Sequence, residues 1–171
     1  MIKKNIVLIG MMAAGKSTIG FKLAKKLNYR FVDIDEKIEK YENQRITDIF
    51  QKKGERYFRK IEEKMTVAYL KKNKVVVSIG GGAFLNKIVR QKIKKNSNSF
   101  WLNWNINTIL KRIISNDRRP LAIKLSREDL IKLYKKRVKF YKLSNFKVEC
   151  ENKTKNQIVN EIFKIIENEN S

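Results

Sequence analysis

Histidine is absent from this 171-residue sequence, cysteine and proline each occur once, and 17 acidic residues stand against 40 basic ones. The lack of histidine excludes imidazole acid–base catalysis and the usual zinc sites. The single cysteine, Cys150, excludes an intramolecular disulfide and a cysteine-held metal cluster. No hydrophobic run approaches the roughly 20 residues of a membrane-spanning helix. The first apolar run begins almost at Met1, so we expect no signal peptide, no membrane partner and a cytoplasmic location.

The formal net charge of +23 would attract polyanions such as nucleic acid, nucleotides and acidic membranes. The lysines, however, outnumber the arginines and lie in pairs along the whole sequence, for example at residues 25–26, 52–53 and 94–95. Anion clamps favour arginine, because its planar fork makes two parallel hydrogen bonds. The pattern therefore indicates a compositional bias with non-specific adhesion to polyanions, and we expect no specific nucleic-acid partner.

Short apolar runs alternate with amphipathic stretches along the sequence, and nothing divides it, so we expect one domain over residues 1–171. The runs predict strands at residues 6–9, 31–34, 75–79, 100–102 and 146–148. The stretches predict helices at residues 17–27, 35–41, 46–53, 55–71, 87–94, 106–114, 127–141 and 156–167. This alternation favours an α/β fold, with a five-stranded parallel sheet between two layers of helices.

Residues 10–18, with the sequence GMMAAGKST, fit the phosphate-binding pattern G-x-x-x-x-G-K-[ST]. The loop follows a predicted strand and precedes a predicted helix, so its backbone N–H groups and the positive end of the helix dipole can meet a polyphosphate. Lys16 can reach the β- and γ-phosphates, and the Ser17 hydroxyl can bind Mg²⁺. A chance match in a glycine-containing turn is the alternative. The flanking strand and amphipathic helix favour a nucleoside triphosphate site.

Asp33 and Asp35 close the second predicted strand, in the sequence FVDID. Alternation along a strand would put both carboxylates on one side, at the end of the sheet where open α/β folds bind ligands. One carboxylate near a metal and one near an acceptor hydroxyl would suit phosphoryl transfer. Alternatively, Asp35 only caps the next helix and Asp33 is a solvated strand end.

Three further segments contain candidate ligand-binding residues. Residues 80–82 are consecutive glycines at a strand end, where bare backbone lets a ligand approach, although a simple turn is the alternative. Arg59 and Arg137 lie on predicted helices, and by pattern alone either one could be an ordinary surface residue. Residues 115–124 include Arg119 and the only proline, and they predict a mobile cationic loop over the triphosphate or, alternatively, a solvated loop.

In this order, the segments resemble the shikimate kinase family, of the nucleoside-monophosphate-kinase-like branch of P-loop proteins. The resemblance runs from Ile6 to about Tyr141. It rests on GMMAAGKST at 10–18, FVDID at 31–35, GERYFR at 54–59 followed by Glu62, GGG at 80–82, RPL at 119–121, and Arg137 with Tyr141 four residues later. Each motif alone is weak, but the ordered set is specific.

The resemblance implies a three-layer P-loop kinase fold with a lid at about 112–124 and a substrate-binding helical region at about 35–60. It implies that a monomer phosphorylates the 3-hydroxyl of shikimate with ATP and one Mg²⁺, in the route to chorismate and aromatic amino acids. The implied catalytic residues are Lys16, Asp35 and Arg119, and the implied metal ligands are Ser17 directly and Asp33 through water. The implied ATP contacts are Ala13, Ala14, Gly15, Lys16, Ser17, Thr18, Arg112 (stacked on adenine) and Arg119. The implied shikimate contacts are Asp35, Arg59, Gly80, Gly81, Gly82 and Arg137, the two arginines holding its carboxylate.

Ala13 departs from the family pattern, which has glycine at this position of the phosphate loop. Alanine is tolerable there if its φ is negative, and any cost would fall on nucleotide affinity. Asn43 stands where the family tends to have glycine, and asparagine also tolerates a positive φ.

Two other functions stay open at this stage. One is another small-metabolite kinase of the same branch, such as a gluconate kinase, or a nucleotide kinase, which would need an arginine cluster for the acceptor phosphate. The other is a basic nucleic-acid-binding P-loop protein, which would need exposed aromatic platforms among basic residues. Most phenylalanines are expected in the core instead, at residues 21, 31, 50, 58 and 100.

Overall fold

The computed structural model describes residues 5–115 and 125–170, and all statements on structure refer to these. They form an α/β fold whose five parallel strands make one sheet, in the order β2-β3-β1-β4-β5. The strands are β1 (Asn5–Ile9), β2 (Arg30–Asp33), β3 (Val75–Ser78), β4 (Ser97–Asn103) and β5 (Phe146–Glu149). The predicted five-stranded parallel sheet is thus confirmed, with β4 longer than expected.

Seven α-helices of the described residues flank the sheet. They are α1 (Lys16–Leu27), α2 (Ile34–Glu42), α3 (Ile46–Leu70), α4 (Lys87–Asn96), α5 (Ile106–Ile114), α6 (Arg127–Tyr141) and α7 (Lys155–Asn170), with a short 3₁₀ turn at Ala83–Leu85. Helix α1 packs against α7, α2 against α3, and α5 against α6. No helix in the described ranges combines the length and the apolar character needed to cross a membrane.

The central strands explain where the functional cavity forms. Every side chain of β1 and of β3 is buried, as expected for parallel strands covered by helices on both faces. Leu8 of β1 lies beside Ser78 of β3 and Phe100 of β4 in the register of the sheet. The phosphate loop after β1 and the glycine-rich turn after β3 therefore leave the same edge of the sheet side by side.

Helix α3 is two helices joined at a kink, which confirms the break that the sequence predicts between residues 46–53 and 55–71. Gly54 lies at the kink with φ 78° and ψ 168°, a backbone conformation that residues with a Cβ rarely adopt. Glu42 at the end of α2 accepts hydrogen bonds from Lys53 Nζ at 2.5 Å and Tyr57 Oη at 2.9 Å, one on each side of Gly54. The kink thus directs the second half of α3, with Arg59, towards the sheet edge.

The expected core positions of the phenylalanines are only partly confirmed. Phe58 and Phe100 are buried, whereas Phe31 and Phe50 are partly buried. The prediction for Phe21 is wrong, because its side chain is 62% exposed; its ring meets the Phe31 ring in a T-shaped arrangement with the centroids 6.3 Å apart.

Candidate active site

One cavity of about 1040 Å³ opens at the carboxyl edge of the sheet. Its walls come from the phosphate loop, the start of α2, both halves of α3, the glycine turn after β3, and residues of α5 and α6. The fold brings together in this cavity all the predicted site residues that the structure describes: Ala13, Ala14, Gly15, Lys16, Ser17, Thr18, Asp33, Asp35, Arg59, Gly80, Gly81, Gly82, Arg112 and Arg137. Arg119 and most of the predicted lid lie outside the described residues.

The phosphate loop has the strand–loop–helix arrangement that its sequence predicts. Helix α1 begins at Lys16, directly after the loop, so its N-terminal N–H groups and positive dipole end face an anion placed there. The Lys16 ammonium donates to the carbonyl oxygens of Gly10 and Met11, both at 2.9 Å. The loop itself therefore positions the lysine charge at the mouth of the cavity.

Ser17 and Asp33 bring a hydroxyl and a carboxylate together at the phosphate loop. The Ser17 hydroxyl donates to Asp33 Oδ2 at 2.5 Å. The other Asp33 oxygen accepts the backbone N–H groups of Asp35 at 3.1 Å and Glu36 at 3.4 Å, which fixes the carboxylate. Hydroxyl and carboxylate oxygens are what Mg²⁺ prefers, and it commonly takes one or two protein ligands together with phosphate oxygens and water. The donor set fits a magnesium ion at this point.

The predicted arrangement of Asp33 and Asp35 on one strand face is wrong. Strand β2 ends at Asp33, which caps α2, and Asp35 lies in the first turn of that helix. Asp33 ends the strand because its carboxylate bonds the free N–H groups of the new helix. Both carboxylates nevertheless line the cavity, since the helix turn and the strand end point to the same edge of the sheet.

Ala13 does not meet the condition under which alanine is tolerable in the phosphate loop. Its φ is 64°, in the left-handed region that L-residues avoid because the Cβ approaches the following carbonyl oxygen. The expectation for Asn43 is confirmed, because it ends α2 with φ 49°.

Arg137 is a buried arginine at the back of the cavity. Its side chain on α6 is 8% exposed, and Nη1 contacts the Met11 sulfur at 3.8 Å. Within the described ranges its Nε has no hydrogen-bond partner. Because a buried guanidinium N–H without an acceptor is costly, this nitrogen indicates where an anionic ligand would bind.

Arg59 reaches the same part of the cavity from α3 and is held by two carboxylates. Its Nη1 donates to Glu62 at 2.7 Å, and its Nη2 donates to Glu55 at 3.2 Å. Burial raises the pKa of Glu62, while the Arg59 guanidinium opposes that shift. Sequence reasoning placed Glu62 in the motif but gave it no role. Its spacing of three residues from Arg59 on a helix was the available signal for this ion pair.

The glycines at residues 80–82 give these charged side chains room. A Cβ on Gly81 would lie 2.9 Å from Arg137 Nη1, and a Cβ on Gly82 would lie 2.7 Å from Arg59 Nη1. A Cβ on Gly80 would collide with Glu62. Tyr141 Oη donates to the Gly81 carbonyl at 2.6 Å and fixes the turn. The turn is therefore bare backbone beside two arginines that can face a ligand. From the sequence we expected only that a ligand could approach this backbone, not that the glycines make room for the arginines.

Trp104 and residues 153–155 line the other end of the cavity. Nothing in the sequence pointed to Trp104, and the adenine-side loop near residues 151–155 had no assigned role. The Arg112 guanidinium lies over the Trp104 ring, with Cζ 3.7 Å from the ring centroid. Lys153, Thr154 and Lys155 face the same end. This end has a stacked guanidinium and added positive charge, which suits a planar base attached to phosphates.

The comparisons with known proteins agree over nearly the whole chain. A family model described as "Shikimate kinase" matches residues 12–167. The shikimate kinase of Persephonella marina is 43% identical over 159 residues, which cover 93% of this chain and 96% of the relative. That of a Sulfurihydrogenibium species is 44% identical over 159 residues, covering 93% and 95%. The solved structure of the Acinetobacter baumannii shikimate kinase in complex with shikimate matches with a TM-score of 0.91 at 28% identity, over 97% of this chain and 94% of that one.

Proposed function

The chain belongs to the shikimate kinase family, and we propose that its carboxyl-edge cavity is where it transfers a phosphoryl group from ATP to shikimate. It is an ATP-dependent kinase, a transferase of aromatic amino acid biosynthesis. The reaction converts ATP and shikimate into ADP and shikimate 3-phosphate. The residue roles that follow are our assignment.

The ATP half of the cavity is the phosphate loop with Arg112 and Trp104. Residues 10–18 bind the phosphates through backbone N–H groups, and Lys16 neutralises charge on the β- and γ-phosphates. Arg112 stacks between the indole and the adenine, since a planar guanidinium can contact an aromatic ring on each face. Because phosphoryl transfer needs little covalent chemistry, positioning and charge neutralisation supply most of the rate.

Ser17 and Asp33 would hold one Mg²⁺, with the serine hydroxyl as the direct ligand that the resemblance implies and Asp33 contributing through water. Their 2.5 Å hydrogen bond supports this assignment, because it keeps both oxygens together beside the phosphate loop. When bound, the ion would neutralise phosphate charge and help to orient the triphosphate.

The acceptor half is formed by Asp35, Arg59, Arg137 and the glycine turn. Arg59 and Arg137 bind the shikimate carboxylate, and the Gly81 backbone lies against the ring. Asp35 hydrogen-bonds the reacting hydroxyl and accepts its proton as the oxygen attacks the γ-phosphate. The single observation that most supports this half is the buried Arg137 with an Nε that lacks an acceptor within the described residues.

The rival functions are less well supported by the site. A gluconate kinase would also need a carboxylate site, but the curated relatives at 43% and 44% identity are shikimate kinases. A nucleic-acid-binding role would need several aromatic platforms on a basic surface; Phe21 and Tyr41 are each 62% exposed, but both tryptophans are buried and the curated relatives are shikimate kinases. The monomer that the resemblance implies and the cytoplasmic location expected from the sequence both stay predictions.

A coupled ADP-release assay over a panel of acceptors tests the proposed function. Purified protein with Mg²⁺ and ATP is offered shikimate, gluconate, nucleoside monophosphates or DNA. We expect ADP release that depends on shikimate and stays at background with the others. Equal stimulation by gluconate, or ADP release that no acceptor changes, would contradict the assignment of the acceptor half.

Substitution of Gly82 by alanine should weaken acceptor binding without unfolding the chain. Gly82 has φ −97° and ψ −17°, which alanine adopts readily, so the strain falls on the Arg59 guanidinium 2.7 Å from the new Cβ. We expect the KM for shikimate to rise about 3- to 10-fold, since a charge-assisted contact is weakened rather than lost. Initial-rate kinetics measure it. An unchanged shikimate KM, or an equal rise in the ATP KM, would argue against this role of Arg59.

A further inference from the structure

Trp104 connects the phosphate loop to the rest of the ATP half. It follows β4, is 7% exposed, and its indole Nε1 donates to the Ala14 carbonyl at 3.0 Å. The Arg112 guanidinium that covers its ring makes a long contact of 3.5 Å with the Ala13 carbonyl. On the backbone side, Tyr134 Oη donates to the Trp104 carbonyl at 3.0 Å. Two successive carbonyls of the loop are thus bonded by one stacked indole–guanidinium pair.

These contacts act on the part of the loop that is strained. Ala13 has φ 64°, and an alanine left to itself favours negative φ because of its Cβ. In a trans peptide the N–H and C=O groups point in opposite directions. Holding the Ala14 carbonyl towards Trp104 therefore turns the Gly15 N–H away from the indole, and Gly15 lines the cavity.

We propose that Trp104 is a positioning residue that, together with Arg112, holds the Ala13–Ala14 segment in its nucleotide-binding conformation. The pair offsets the strain that alanine causes at position 13 of this chain. The proposal rests on the proposed function of the loop as the ATP phosphate site. Trp104 acts through the loop, so its effect falls on nucleotide affinity.

Nucleotide affinity depends on the fraction of molecules whose phosphate loop is in the binding-competent conformation. If the loop relaxes to a negative φ at Ala13 for part of the time, the apparent affinity for nucleotide falls in proportion to the competent fraction. The acceptor half is built on α2, α3, α6 and the glycine turn, so affinity for shikimate should not change. Glycine at position 13 removes the strain and should make the indole hydrogen bond dispensable.

The test compares Trp104→Phe, Ala13→Gly and the double variant in the full-length chain. Phenylalanine keeps a ring for Arg112 to stack on and removes the N–H that bonds Ala14. ADP binding is measured by calorimetry, and KM for ATP and for shikimate by initial rates. We expect Trp104→Phe to raise the Kd for ADP and the ATP KM about 5- to 15-fold, the scale of one lost buried hydrogen bond. The shikimate KM should stay within about 2-fold.

The rescue by glycine is the decisive part of the experiment. Ala13→Gly alone gives the reference Kd for ADP at this position, because residue 13 is itself part of the phosphate loop. In the double variant the Kd for ADP should lie within about 3-fold of that reference. Trp101→Phe is the matched control, because Trp101 lies on β4 with its ring against Tyr141, and it should leave ADP affinity unchanged.

Three results would overturn the inference: an unchanged Kd for ADP in Trp104→Phe, an equal loss in the single and double variants, or parallel rises in both KM values. If Trp104→Phe does not fold, the double variant with Ala13→Gly tests the proposal instead. A folded double variant with normal ADP affinity supports the proposal, and an unfolded double variant overturns it. Failure of the underlying site is distinguishable, because Lys16→Met would then bind ADP as tightly as the unsubstituted chain.

Discussion

Replacement of Lys16 by methionine is expected to lower kcat by about a thousand-fold while leaving the chain folded. Lys16 is the charge that the phosphate loop positions, through hydrogen bonds to the Gly10 and Met11 carbonyls at 2.9 Å. Methionine matches its length but leaves the charge that develops on the transferring phosphoryl group uncompensated. Loss of one such preorganised contact costs about 10²- to 10³-fold, and a full positive charge lies at the upper end of that range.

Steady-state kinetics of purified Lys16→Met, with thermal unfolding to check the fold, measure this effect. Lys22→Met is the matched control, because Lys22 lies on the same helix and its ammonium bonds Asn156 rather than the phosphate loop. The control should keep kcat within about 2-fold, as surface substitutions away from a site usually have small effects. Near-normal turnover of a folded Lys16→Met protein would remove Lys16 from the mechanism.

Replacement of Arg137 by lysine is expected to raise the KM for shikimate about 10- to 150-fold, with the ATP KM within a few-fold. A guanidinium fork makes two parallel hydrogen bonds to a carboxylate, and an ammonium of the same charge cannot reproduce that geometry. Because the charge is kept, the general attraction of the cavity for ATP should hardly change. Initial rates with each substrate varied in turn separate the two KM values.

Arg90→Lys is the control for Arg137→Lys, because Arg90 bonds the Phe84 carbonyl and stacks on Phe140 outside the cavity. Arg59→Lys should raise the KM for shikimate as Arg137→Lys does. The double variant should lose less shikimate-binding free energy than the two single variants added together, since both residues bind one carboxylate. If Arg137→Lys raised the KM for ATP and left the KM for shikimate unchanged, Arg137 would not belong to the acceptor half.

Local patterns were sufficient to predict the sheet, the helices and the phosphate loop. Apolar runs of three to five residues bounded by polar residues or glycine identify buried strands, and the phosphate loop is recognised from consecutive residues between a strand and a helix. Asp35 was assigned to the wrong element, because the capping of α2 by Asp33 competes with continuation of the strand. The residue still reaches the cavity, so the functional expectation is unaffected by that error.

Contacts between distant parts of the chain could not be predicted in the same way. The hydrogen bond from Trp104 to Ala14 spans 90 residues, and the burial of Arg137 against Met11 spans 126. The left-handed conformation of Ala13 contradicts its own residue preference and is set by the surrounding loop. The helix break at Gly54 was predicted, but the contacts of Glu42 with Lys53 and Tyr57 on its two sides were not. The assignment of Arg119 to a lid stays a prediction, because it lies outside the described residues.

Identification of the phosphorylated product shows whether this chain transfers a phosphoryl group from ATP to shikimate. The purified chain is incubated with Mg²⁺, ATP and shikimate, and the mixture is followed by phosphorus and proton NMR. The account predicts one ADP for each new phosphate ester, with the ester on the 3-hydroxyl of shikimate and no reaction when shikimate is omitted. ADP with free inorganic phosphate, formed equally with and without shikimate, would contradict it.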